Sequence, residues 1–90
     1  MESRSRIAVV TGGMGGIGTA ICQRLYKEGF KVIVGCSSDS SRKNDWIASQ
    51  LAAGYQFECI YGDVTDWETT RKSFEMAREQ FGPIDVLVNN

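Results

Sequence analysis

A short apolar run, Ile7-Ala8-Val9-Val10, ends at Thr11, and five of the next seven positions are glycine: Gly12-Gly13-Met14-Gly15-Gly16-Ile17-Gly18. No other stretch constrains the fold as much. Four apolar residues without polar alternation suit a strand buried on both faces, as in a parallel sheet. Beyond the glycines the period changes. Ile17, Ile21 and Leu25 recur every four residues with Ala20 beside them, the pattern of a helix with one apolar face. A tight turn alone does not require so many glycines, because each raises the entropy cost of folding. The loop fits GxGxxG at Gly13, Gly15 and Gly18, and TGxxxGxG at Thr11, Gly12, Gly16 and Gly18. With a strand before it and a helix after it, the motif implies dinucleotide binding. One glycine makes the turn, another lets the backbone approach a pyrophosphate, and the last lets helix pack on strand. The helix start then offers N–H groups and a positive dipole end to the phosphates.

The same alternation runs through the rest of the chain. Gly29 is placed to end the first helix in the left-handed conformation. Lys31-Val32-Ile33-Val34-Gly35 reads as a second strand and Ser37 to Ser41 as a loop. A second helix is expected from about Arg42 to Ala53, ending at Gly54. Tyr55 to Tyr61 contains a third strand, with Phe57, Cys59 and Tyr61 alternating against Glu58 and Ile60. A third helix from about Trp67 to Gln80 carries Trp67, Phe74, Ala77 and Phe81 at helical spacing. Asp66 is its expected N-cap, and Gly82-Pro83 breaks it. Ile84-Asp85-Val86-Leu87-Val88 is a fourth strand. Trp46, Trp67, Phe74 and Phe81 read as core or interface residues.

The order βαβαβαβ predicts an α/β fold: a Rossmann-type doubly wound parallel sheet in strand order 3-2-1-4 with helices on both faces. Ligands of such sheets bind where the strand order reverses, outside the C-terminal ends of the strands. Residues 1–90 read as the N-terminal part of one such domain. The fourth strand is a bare apolar edge followed at once by Asn89-Asn90, so the natural protein is expected to continue.

Net charge is -1, with the basic residues scattered. That gives no footprint for nucleic acid or for an anionic membrane. No apolar run approaches the roughly 18 residues of a membrane span. Met1 to Arg6 lead straight into a strand without a signal-peptide apolar region, so cytoplasm is the expected compartment. Cys22, Cys36 and Cys59 are widely spaced, and the sequence has no histidine. No metal site is expected, and buried thiols are a better reading of the cysteines than a reactive one.

The loop Thr11-Gly12-Gly13-Met14-Gly15-Gly16-Ile17-Gly18 resembles the cofactor loop of the short-chain dehydrogenase/reductases. Gly62-Asp63-Val64-Thr65-Asp66 resembles that family's adenine-contacting turn after the third strand. Val86-Leu87-Val88-Asn89-Asn90 resembles the start of its NNAG motif. The three motifs occur in the family's order, and the resemblance covers the whole chain. Within the family, Thr11 to Leu25, Gly35-Cys36 and Arg42 to Trp46 are similar to the acetoacetyl-CoA reductases of polyhydroxybutyrate synthesis. This resemblance implies NADPH-dependent reduction of a 3-oxoacyl-CoA to the 3-hydroxyacyl-CoA. It also implies a small-molecule acyl-CoA partner and a homo-oligomer, commonly a tetramer. It places the cofactor against Gly12, Gly13, Met14, Gly15, Gly16, Ile17 and Gly18, then Gly35, Ser37 and Arg42, then Gly62, Asp63 and Val64, and finally Asn90. Asn89 is expected to be structural. Met14 is a candidate cover for the cofactor, and Thr11 is a candidate brace for the loop through its hydroxyl, with capping of a backbone group the simpler account.

The choice of cofactor turns on the end of the second strand. A carboxylate there would hold a ribose 2′-hydroxyl and select NAD, whereas a 2′-phosphate needs a basic partner. Gly35-Cys36-Ser37-Ser38 has no acid, and Arg42 and Lys43 follow, which favours NADP over NAD. The rival reading gives the ribose to Asp39, and the plain reading of Arg42 is a solvated residue in the first helical turn. No catalytic residue is assigned. Hydride transfer to a ketone needs a proton donor, which the family supplies with a Tyr-x-x-x-Lys pair and a serine beyond the NNAG region. Tyr26, Tyr55 and Tyr61 each lack a lysine four positions on. Two alternatives remain open: a reductase of an acyl-carrier-protein thioester or a small ketone, and a cofactor-binding or assembly module without catalysis.

Overall fold

The computed structural model describes residues 6–36, 41–61 and 67–89. Strands and helices alternate: β1 (Ile7–Thr11), α1 (Gly16–Lys27), β2 (Lys31–Cys36), α2 (Ser41–Ala52), β3 (Glu58–Tyr61), α3 (Trp67–Phe81) and β4 (Val86–Asn89). All strand pairs are parallel, in the order β3-β2-β1-β4. The chain steps outward from β1 through β2 to β3, then crosses back to the other side of β1. The register brings the C-terminal ends of the strands to one edge. Thr11 lies beside both Gly35 and Asn89, and Cys36 lies beside Tyr61.

The period of two divides the sheet's side chains between two layers. Val10, Val32, Val34 and Cys36 form one cluster, against which Ile21 and Leu25 of α1 and Trp46 and Ile47 of α2 pack. Ile7, Val9 and Ile33 form the other with Ala77 of α3, and Phe74 and Phe81 pack against it. The sheet is thus covered on both faces, which is why its inner strands read as unbroken apolar runs. Each fully buried Val or Ile contributes roughly 1.5–3 kcal/mol relative to exposure.

The helices end where glycine permits a left-handed residue. Gly29 has φ +94. Its N–H donates to the Tyr26 carbonyl at 3.0 Å, and the Phe30 N–H donates to the Leu25 carbonyl at 3.1 Å. This pair of bonds is the Schellman motif, which satisfies carbonyls that the helix leaves open. The end of α2 repeats it, with Gly54 donating to Leu51 at 3.0 Å and Tyr55 to Gln50 at 2.9 Å. Gly82 follows α3 with φ +111.

Three expectations need correction. The fourth strand starts at Val86 rather than Ile84. Ile84 packs into the α3-side cluster instead. Asp85 then ties the segment to β1 twice: its backbone N–H donates to the Ile7 carbonyl at 2.9 Å, and its Oδ2 accepts the Ile7 N–H at 2.8 Å. A carboxylate takes the place of a ladder carbonyl. Second, Ile17 does not belong to the core face of α1 and is 74% exposed. The buried positions of α1 are Gly18 and Cys22, with Ile21 and Leu25 flanking them. Third, Trp67 is 71% exposed, which removes the core half of its core-or-interface reading. Among the described residues, no helix is long and apolar enough to cross a membrane.

Candidate functional site

The glycine loop joins β1 to α1 at the edge where the strand order reverses. Gly12 makes the turn, with φ +65, and the Gly15 N–H points back to the Gly12 carbonyl at 3.5 Å. Gly13 is needed for space. A Cβ there would lie 2.8 Å from Val34 Cγ1 and 3.0 Å from Cys22 Sγ. Gly18 is needed for the same reason: its Cβ would meet the Gly12 carbonyl oxygen and lie 2.7 Å from Gly13 Cα. Gly16 has no atom within 4 Å of a Cβ, and Gly15 has only the Gly12 carbonyl oxygen, at 3.9 Å. The glycines thus divide their roles in the structure. Gly12 turns, Gly13 and Gly18 seat the loop on β2 and α1, and Gly15 and Gly16 leave an open face.

That open face is also the start of α1. Gly15 is its N-cap, and no side chain caps the helix. The first helical bond runs from the Thr19 N–H to the Gly15 carbonyl at 2.7 Å. The N–H groups of Gly16, Ile17 and Gly18 have no acceptor within the helix. There is no acidic residue in the first turn, while Arg24 and Lys27 sit in the last. The positive end of the helix dipole is left for an incoming anion.

Two hydrogen-bonded braces hold the loop's flanks. Thr19 Oγ1 accepts from Trp46 Nε1 at 3.0 Å and donates to the Gly13 carbonyl at 3.3 Å. This relay joins α2 to the loop. The Thr11 hydroxyl lies 3.0 Å from Asn89 Oδ1 and 3.4 Å from the Val88 carbonyl, so its proton links the ends of β1 and β4. The Thr11 hydroxyl thus ties β1 to β4, and Asn89 takes part in the bond. The half-buried Met14 side chain packs against the cluster of Val10 and Cys22. Ile17 stands exposed in the first turn beside the open glycines.

Gly35 lies in register with Thr11. A Cβ on it would make only ordinary contacts of 3.7 Å with Thr11. Arg42 is exposed, one residue into α2, whose first turn contains no acid. Ser37, Gly62, Asp63, Val64 and Asn90 lie outside the described residues, as do Asp39 and Asp66.

The cysteines form a feature that their spacing does not reveal. Cys22 is buried under the loop, and burial pushes its thiol up to about 11. Cys36 at the end of β2 and Cys59 in β3 have their sulfurs 3.5 Å apart. The contact follows from strand register, since Cys59 lies opposite Val34, two positions before Cys36. Among the described residues no three His, Cys, Asp or Glu side chains group as metal ligands would.

A parallel sheet with helices on both faces, entered at its strand-order reversal through a glycine turn into an uncapped helix, defines the class of nucleotide-binding doubly wound domains. Residues 6–90 match the family model of the short chain dehydrogenases, and the chain belongs to that family. It is 52% identical over 85 residues to an acetoacetyl-CoA reductase of Cupriavidus necator, a match covering 94% of this chain and 35% of that protein. It is 41% identical over 86 residues to an acetoacetyl-CoA reductase of Allochromatium vinosum, again covering 94% of this chain and 35% of the relative. The chain thus spans about a third of the length of the curated relatives it matches. Among solved structures, an actinorhodin polyketide ketoreductase variant with NADPH superposes with a TM-score of 0.85 at 33% identity, covering 100% of this chain and 34% of that one.

Proposed function

We propose that this chain is the cofactor-binding part of an NADP-dependent short-chain reductase that converts a 3-oxoacyl-CoA, acetoacetyl-CoA above all, to the 3-hydroxyacyl-CoA. The observation that carries the reading is the open face at Gly15 and Gly16, set at an uncapped helix start where the strand order reverses. The acetoacetyl-CoA reductases at 52% and 41% identity support the substrate, and the ketoreductase held with NADPH supports the cofactor.

The dinucleotide, when bound, supplies the hydride that reduces the 3-keto carbon. The residues of this chain bind and orient it. The N–H groups of Gly16 to Gly18 receive the pyrophosphate. Gly13 and Gly18, packed without spare room, hold the loop in one shape, so little ordering remains to be done on binding. Thr11 and Asn89 keep the ends of β1 and β4 together beneath the ligand. Arg42 receives the 2′-phosphate. A cation in the first turn of α2 opposes that helix's own dipole, and a bound dianion would turn this disadvantage into an attraction. The proton donor is assigned to residues outside this sequence. Tyr26 and Tyr55 are committed to an edge-to-face pair with ring centroids 5.6 Å apart, packed against the core.

The test is a titration of NADPH followed by nicotinamide fluorescence, with NADH as the control. NADPH is expected to bind more tightly, and Arg42→Ala to weaken it about tenfold, the equivalent of about 1.4 kcal/mol, while leaving NADH unchanged. Equal loss for both cofactors would remove the role given to Arg42. Failure to bind either one would remove the reading as a whole. The protein that carries this chain is expected to oxidise NADPH in the presence of acetoacetyl-CoA.

A further inference from the structure

We propose that Cys36 and Cys59 form a dithiol site that low-molecular-weight disulfides oxidise to a reversible intrachain disulfide, and that this bond loosens the cofactor by displacing the end of β2. The consequence for the cofactor rests on the reading above, whereas the bond itself does not.

The two sulfurs are 3.5 Å apart on adjacent strands. A disulfide needs about 2.05 Å, so the sulfurs must close by roughly 1.5 Å. The register decides how they do so. Cys59 is opposite Val34, and Cys36 is opposite Tyr61. The pair is therefore diagonal, and with a rise of about 3.3 Å per residue and strands about 4.8 Å apart the two Cα atoms lie roughly 8 Å apart. A relaxed disulfide spans about 4.4–6.8 Å between Cα atoms. The bond cannot close with both strands at rest. The more yielding partners are at hand: Cys36 is the last residue of β2, and β3 is a four-residue edge strand. Closure must draw the end of β2 toward the middle of β3. Cys36 directly follows Gly35, which lies in register with Thr11 at the mouth of the glycine loop. Pulling one end of this paired row disturbs the edge on which the cofactor would rest.

Access distinguishes the two thiols. Cys36 is 3% exposed. Cys59 is half-buried on β3, an outer strand of the described sheet, and packs against the same cluster as Cys36. Cys59 is thus the entry point. Its thiolate attacks one sulfur of the external disulfide and releases one small thiol. The Cys36 thiolate then attacks Cys59 Sγ, displaces the second small thiol and forms the Cys36–Cys59 bond. Two protein S–H groups are oxidised, one external disulfide is reduced to two thiols, and the two protons pass to the leaving thiolates. The hydrogen bond with Cys36 and the burial that push the Cys59 thiol up keep this exchange slow at neutral pH and make it faster as pH rises. A strained bond of this kind is readily reduced again, the property of regulatory rather than structural disulfides.

The protein is incubated with oxidised glutathione at mildly alkaline pH, then unfolded, alkylated and digested with trypsin. The expected product joins the peptide of residues 32–42 to that of residues 44–71 with loss of two hydrogens, while Cys22 remains alkylated. Dithiothreitol should reverse it, and Cys22→Ser should not affect it. Recovery of both cysteines unoxidised, or glutathione persisting on Cys59 without the cross-link, would overturn the site. NADPH affinity is measured on aliquots of the same incubation taken before unfolding. The oxidised protein should bind about tenfold more weakly, and Cys59→Ala should bind like the reduced protein with or without oxidant. Equal affinity in both states would overturn the link to the cofactor. A reduced protein that binds no NADPH would count against the proposed function, with the cross-link result standing separately.

Discussion

Adjacent glycines of the loop do opposite kinds of work, and single methyl groups separate them. At Gly18 a methyl meets the backbone of Gly12 and Gly13, which has no flexible end to give way. Gly18→Ala is expected to cost about 1–3 kcal/mol in urea denaturation and to lower cofactor affinity by displacing the loop. At Gly16 a methyl meets nothing and removes freedom from the unfolded chain. Gly16→Ala should raise stability by roughly 0.4–1 kcal/mol and, if the proposed function holds, still weaken NADPH, because the methyl occupies the face proposed for the pyrophosphate. A stability gain with unchanged affinity would show that the ligand approaches elsewhere. Cys22 supplies a pH signature. Its thiol ordinarily titrates at 9.0 and is pushed up to about 11 in the fold. Below 9 both states hold the proton and its contribution is complete. As pH rises toward 11 the unfolded chain gives up the proton and the folded one does not, so stability falls. Cys22→Ala should flatten that slope in denaturation curves taken across this range.

Element ends depend on a few backbone bonds. Gly29 has φ +94 with no atom within 4 Å of its added Cβ, so Gly29→Ala isolates backbone strain from steric clash. The expected cost is about 1–2 kcal/mol, read from thermal unfolding. Asp85 is the corresponding fixture for β4. Asp85→Ala leaves the Ile7 N–H without its carboxylate acceptor and should cost about 1–3 kcal/mol, with faster amide exchange at Ile7. The identity and order of the elements were legible in the sequence because sheets covered on both faces impose continuous apolar runs and glycines mark the helix ends. The inner face of α1 was not. Periodicity counts hydrophobic side chains and therefore selects Ile17, but the closest approach belongs to Gly18, which has no side chain to count. The Asp85 bond to Ile7 joins residues 78 positions apart and depends on a register that no local pattern encodes.

At the scale of the molecule, the glycine turn between β1 and α1 was legible from its spacing, whereas the Cys36–Cys59 contact and the relay from Trp46 through Thr19 to Gly13 exist only once separate elements have docked. The outer strand β4 presents Leu87 at 56% exposure beside its unpaired edge in the described sheet. Leu87→Lys is expected to reduce self-association of the 90-residue polypeptide in light scattering, and no reduction would show that association begins elsewhere. The relay has one more consequence. The chain has two tryptophans, and they occupy opposite surroundings. Trp67 is exposed, while Trp46 is stacked on Phe57 with centroids 5.4 Å apart and bonded toward the loop. In a Trp67→Phe background, indole emission therefore becomes an intrinsic optical gauge of the loop: anything that shifts Gly13 alters the colour and intensity of Trp46 without a label being attached.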